Sequence, residues 1–124
     1  MRTRFYKCPT CGNVVMKFVD SKVPIVCCGK PMEELTPNIV DAATDIHIPT
    51  ITRLDDHRLK VDVGSVPHPM TAEHHLEFIY VETSYGGIRV DLTDSSEAVV
   101  CTCEGRVVAV YAYCNLHGLW VTQM

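Results

Sequence analysis

The chain has 124 residues, 47% hydrophobic and 21% charged, with a formal charge of -4. That balance is globular, and the absence of a Lys/Arg-rich run argues against a nucleic-acid partner. No stretch is long enough and apolar enough to cross a bilayer as a helix, so no membrane association is expected. The opening residues Met1–Cys8 hold no apolar signal core, so a cytoplasmic location is the expectation. In a reducing compartment, seven cysteines point to metal binding rather than to disulfides.

The first segment, residues 1–36, opens with Cys8-Pro9-Thr10-Cys11-Gly12. A Cys-x-x-Cys turn followed by glycine is a metal knuckle, because the glycine lets backbone N–H groups point at the sulfurs. A short strand is expected over Val14–Phe18, and a second leads through Pro24-Ile25-Val26 into Cys27-Cys28-Gly29. Cys8, Cys11, Cys27 and Cys28 are four soft ligands in a segment too small for a useful core. They suit tetrahedral iron or zinc. Pro31–Pro37 reads as a linker.

From residue 37 onward the pattern is strand-like. His47–Thr52, Arg58–Val63, His74–Thr83, Ile88–Leu92, Ala98–Cys103 and Val107–Tyr113 are separated by turn residues, and Leu59, Val61 and Val63 alternate onto one face. About seven short strands with no sustained helical period predict an antiparallel β-sandwich. Cys101 and Cys103 share a strand face and read as packing residues.

Five further residues carry metal-ligand chemistry. Cys114-Asn115-Leu116-His117-Gly118 ends the most apolar run with a thiol and an imidazole on one short loop. His68 stands between Pro67 and Pro69, which stiffen its loop. His47 precedes Ile48-Pro49. His74 and His75 are neighbours, and strand parity groups His74 with Leu76, Phe78 and Tyr80, leaving His75 at the surface. His57, in a polar turn, also reads as a surface residue.

Residues 1–36 resemble the desulforedoxin module, in which Cys-x-x-Cys and Cys-Cys hold a tetrahedral iron. Gly64-Ser65-Val66-Pro67-His68-Pro69-Met70 and Cys114–Gly118 resemble the two signatures of superoxide reductase. The whole chain therefore resembles a two-domain desulfoferrodoxin: a four-cysteine iron module over 1–36, then an immunoglobulin-like sandwich over 37–124 bearing a second iron. The resemblance implies His47, His68, His74 and His117 as equatorial ligands of that iron and Cys114 as the axial one. It also implies one-electron reduction of superoxide to hydrogen peroxide, a rubredoxin-like electron donor, relay through the four-cysteine iron (where zinc can substitute), and a homodimer.

The family usually reads Glu-Lys-His-Val-Pro at the first histidine, whereas this chain reads Asp45-Ile46-His47-Ile48-Pro49. Asp45 matches the family's glutamate, a group that can occupy the open iron position, but the lysine is missing. The alternative expectation is thus an iron-containing electron-transfer or redox-sensing protein with little superoxide turnover.

Overall fold

The computed structural model describes residues 3–39, 47–64, 67–103 and 105–124. Asp45 and Ile46 lie outside them, as do Ser65 and Val66 of the first signature. Every regular element among the described residues is a β-strand, and no helix is long and apolar enough to cross a membrane. The chain divides into two compact units, Met1–Thr36 and Pro37–Met124.

In the first unit, β1 (Phe5–Lys7) is flanked antiparallel by β2 (Val14–Met16) and β5 (Glu33–Glu34). A two-residue hairpin joins β3 (Val26–Cys27) to β4 (Lys30–Pro31). The expected linker is therefore partly sheet. Leu35 N–H donates to Phe5 O at 2.8 Å, on the edge of β1, and Met32 N–H to Ile25 O at 2.7 Å, beside the β3–β4 hairpin, so this stretch does not hang free. Phe5 and Cys8 are the fully buried apolar residues among those described here. So few cannot offset the chain entropy of ordering a segment this long.

Among the described residues, the second unit is an antiparallel sandwich of seven strands. One sheet orders β10 (Glu97–Cys101), β7 (Arg58–Val63) and β6 (Pro49–Arg53). The other orders β12 (Gly118–Gln123), β11 (Val107–Cys114), β8 (Leu76–Thr83) and β9 (Gly86–Asp91). Leu59, Val61 and Val63 of β7 face Leu76, Ile79 and Val81 of β8 and Val110, Ala112 and Cys114 of β11 across one core. The clean alternation in β7 is what buries its apolar face while its charged residues stay outside.

Two expectations need correction. The run ending at Thr83 begins at Leu76, not His74, and its parity breaks at once. Cys114 pairs with Leu76 but Tyr113 with Phe78, so Glu77 is the extra residue of a β-bulge. Past the bulge Ile79 and Val81 face the core, while Phe78 and Tyr80 point to the other side. Cys101 and Cys103 are exposed rather than packed. Along the edge strand β10 it is Val100, and beyond it Thr102, that turn inward.

Candidate metal centres

The strand order collects three connections, carrying five candidate ligands, at one pole of the sandwich. His47 lies two residues before β6, His68 follows β7, His74 lies two residues before β8, Cys114 ends β11, and His117 precedes β12. Gly64 N–H donates to Ile48 O at 3.0 Å, and Thr122 Oγ1 donates to Pro49 O at 2.6 Å, fixing the entry to β6. Cys114 pairs with Gly118, so Asn115, Leu116 and His117 form a three-residue hairpin loop. Gly118 adopts φ 82°, the left-handed position that such a loop needs and that a side chain would oppose.

These loops set four imidazoles in a near-square. Going round His47, His68, His74 and His117, successive ring centroids are 4.9, 4.7, 4.8 and 4.7 Å apart, and the His47–His74 diagonal is 6.4 Å. Each ring meets its neighbour edge to face, at 69° to 79°. The donor atoms of His47, His74, Cys114 and His117 all lie within 4.8 Å of one another. His68 stands outside that tightest set but touches the rings of His47 and His74. His47 Nε2 and His117 Nδ1 are 3.0 Å apart. Two ligands at right angles on bonds of about 2.1 Å would be separated by about 3.0 Å. Cys114 Sγ lies 3.8 Å from His117 Nδ1 and is fully buried.

The hydrogen bonds indicate which nitrogens are available. His68 Nδ1 is 2.7 Å from the Pro69 carbonyl, which can only accept, so Nδ1 carries the proton and Nε2 keeps its lone pair. Burial, then the carbonyl bond acting the other way, then the neighbouring imidazoles leave the His68 pKa below the ordinary histidine value, so the ring is neutral near pH 7. The Nε2 atoms of His68 and His74 are buried with no hydrogen-bond partner. Leaving such atoms unsatisfied costs about 1–3 kcal/mol each, and a cation at the centre of the square would remove that cost. The donor set thus fits a transition metal held by three Nε2 atoms, one Nδ1 atom and one thiolate.

Two supporting residues escaped the sequence reading. Asn115 clamps the backbone on both sides of His74: its Oδ1 accepts from His75 N–H at 2.8 Å and its Nδ2 donates to Glu73 O at 2.9 Å. Trp120 stacks on His47 and donates from Nε1 to His117 O at 3.1 Å. Both lie in or just beyond a recognised motif, yet their partners are distant in sequence. His74 is held by a bend, its N–H donating to Thr71 Oγ1 at 3.1 Å, rather than by strand parity. His75 turns aside to Glu77 Oε1 and Thr71 O, each at 2.8 Å, and the carboxylate raises its pKa. His57 is exposed, as expected.

In the first unit, Cys8, Cys11, Cys27 and Cys28 also bring their sulfurs within 4.8 Å of one another. The knuckle is built as the spacing implies: Gly12 N–H donates to Cys8 O at 2.9 Å and Cys11 N–H points at Cys8 Sγ at 3.5 Å. Cys28 and Gly29 both take positive φ, 53° and 74°, which turns the second pair of thiols back toward the first. The Cys11 N–H contact draws the Cys8 thiol down to about 6. Its thiol neighbours push Cys27 up, and Cys28 up to about 12. Four thiolates cannot coexist at this separation without a cation among them.

The family model described as Desulfoferrodoxin matches residues 39–123. A desulfoferrodoxin of Syntrophotalea carbinolica is 41% identical over 120 residues, covering 95% of this chain and 94% of that protein. A superoxide reductase of Pyrococcus horikoshii is 31% identical over 98 residues, covering 63% of this chain and 84% of that one. The crystal structure of the superoxide reductase from Treponema pallidum superposes with a TM-score of 0.83 at 26% identity, covering 98% of both chains. With both donor clusters formed and matches that extend through nearly the whole chain, the protein belongs to the desulfoferrodoxin family.

Proposed function

We propose that the chain is a superoxide reductase, in which His47, His68, His74, His117 and Cys114 hold one iron and Cys8, Cys11, Cys27 and Cys28 hold another. The near-square of imidazoles beside a buried thiol carries the reading, supported by relatives and structural neighbours named as superoxide reductases. Bound ferrous iron would supply the single electron that superoxide takes up. The five residues carry one negative charge between them, so a dication held there keeps a net charge of +1 and draws an anion. Cys114, with no exposed surface, places its thiolate in a medium of low dielectric, where its electron-donating effect on the centre is strongest. His117 is exposed and His74 half-buried, so substrate enters and protons arrive from solvent along that edge.

Asp45, outside the described residues, is proposed from the motif alone as the carboxylate matching the family's glutamate. The four-cysteine cluster is assigned the role of electron relay from a rubredoxin-like donor, with zinc as an alternative occupant, in a cytoplasmic homodimer. The second reading, an electron-transfer or redox-sensing protein, is favoured by Ile46 standing where the resembled family motif usually reads lysine.

The deciding experiment is pulse-generated superoxide against the reduced protein. Rapid stoichiometric oxidation, with one peroxide formed per electron and no oxygen released, supports the proposal. Slow oxidation would favour the second reading, and Ile46→Lys should then raise the second-order rate and make it fall with added salt.

A further inference from the structure

Outside both clusters, the chain places two more cysteines together. Cys101 is the last residue of β10, Thr102 follows it, and Cys103 comes next. Both thiols are exposed while Thr102 between them is buried. The backbone there is held firmly. Thr102 N–H donates to His57 O at 2.7 Å, Gly105 N–H donates to Thr102 O at 3.0 Å, and His57 Nδ1 lies 2.9 Å from Cys103 O. Cys103 itself sits at φ 52°, in a left-handed conformation uncommon for a residue with a side chain. Beside the two thiols, between this turn and the Thr83–Gly87 turn, lies a groove of about 640 Å³, open to solvent.

We propose that Cys101 and Cys103 form a redox-active dithiol that hydrogen peroxide closes to an intrachain disulfide and that small thiols reopen. In the closing reaction one thiolate sulfur attacks a peroxide oxygen. The O–O bond breaks, a sulfenic acid forms and one water leaves. The second thiol then attacks that sulfur and displaces a second water. Two thiols and one peroxide thus give one disulfide and two waters, with each sulfur losing one electron. Reopening is ordinary thiol–disulfide exchange, and the groove gives the incoming thiol access.

Geometry makes this bond labile rather than structural. The left-handed φ of Cys103 swings its side chain off the strand's alternation, and a two-residue extended step before it is about 6.4–6.8 Å at Cα. That is the upper end of the range a disulfide spans. The flanking hydrogen bonds resist the small contraction needed, so the closed form is strained and easily reduced. The pair also lies far from the histidine centre. Cys101 pairs with Arg58 at the start of β7, whereas Val63 at its end pairs with Pro49, beside His47. Those two ends are separated by roughly 17 Å. Peroxide therefore reaches the dithiol through solvent. The proposal rests on superoxide reduction only for the source of that peroxide, since added peroxide tests the thiols whatever the centre does.

The test uses the metal-loaded protein, fully reduced and then treated with stoichiometric hydrogen peroxide. The products are trapped with N-ethylmaleimide and digested without reductant for mass spectrometry. The fragment holding Cys101 and Cys103 should lose two hydrogens and both alkylation sites, and dithiothreitol should restore them. Cys101→Ser should abolish the hydrogen loss, leave Cys103 trappable as a sulfenic acid, and leave the metal absorbance unchanged. The proposal is overturned if both thiols still take up maleimide after peroxide, if the fragment is joined to another peptide, or if both sulfurs pass to sulfinic acid with no disulfide formed.

Discussion

The indole of Trp120 lies flat on the imidazole of His47, with centroids 4.9 Å and planes 16° apart, while its Nε1–H reaches the carbonyl of His117 at 3.1 Å. One side chain thus fixes the orientation of one candidate ligand and the loop of another that lies 70 residues away in sequence. Trp120 is the single tryptophan of the chain. Loading the histidine centre with iron or cobalt should therefore quench the intrinsic tryptophan emission, and Cys28→Ser should not prevent it. Trp120→Phe should keep the stacking but lose the donor, and Trp120→Ala should lose both. The expected fall in metal affinity is about 10–100-fold for the alanine variant and smaller for the phenylalanine. Equal affinity for all three proteins in a competition titration would remove Trp120 from the account.

Asn115 should behave as a positioning residue. Its two side-chain bonds reach His75 N–H and Glu73 O, on either side of His74. Asn115→Ala leaves both backbone groups without a partner, at a cost of about 1–3 kcal/mol each where they are shielded from water. Asn115→Asp keeps the acceptor and loses the donor. Metal affinity at the histidine centre should follow the order Asn, Asp, Ala, with the absorption band of the four-cysteine site constant across the series.

Metal binding by the four cysteines should strengthen as pH rises. The Cys11 backbone N–H holds the Cys8 thiol down at about 6, so that sulfur is already a thiolate at neutrality. Hydrogen bonds to the neighbouring cysteines hold Cys28 up at about 12 and Cys27 above its ordinary value, so these two remain protonated there. Binding must displace a proton from each. Between pH 7 and 9 the logarithm of the apparent affinity should climb by at least about two per pH unit. A pH-independent affinity in a chelator competition would contradict this.

Removing metal should affect the two units differently. Residues 1–36 rest on Phe5 and Cys8 for buried apolar surface, whereas the sandwich holds a continuous core from Leu59 to Val110. Chelation should abolish amide-exchange protection in β1, β2 and β5 while β7, β8 and β11 stay protected. If both units lost protection together, metal would be essential to the sandwich as well.

Much of this was legible in the sequence, for identifiable reasons. Ligands that are close in sequence announce themselves, so the Cys8–Cys11, Cys27–Cys28 and Cys114–His117 groups could be read from spacing. Strands with one buried face could be read from alternation, as in β7. The bulge at Glu77 could not, because one inserted residue reverses the parity on which such reading depends. His74 was selected by a strand pattern that does not extend to it, and it is in fact held by the Thr71 bend. The last strand, Gly118–Gln123, was not named at all, since Leu119, Trp120 and Val121 are all buried and leave no alternation to detect. Asn115 and Trp120 stayed silent because a bridging amide or a stacked ring is defined by what it touches.

The hairpin that carries Cys114 and His117 also sets an order of events during synthesis. The four cysteines of the first cluster fall within residues 8–28, so that cluster can close while most of the chain is still unmade. The histidine centre draws on loops from His47 to His117 and waits for β11 and β12 to pair. Its assembly is limited by long-range closure, as in other β-topologies of high contact order. A ribosome-bound fragment ending before residue 114 would therefore carry one finished metal site and one that is no more than three scattered imidazoles.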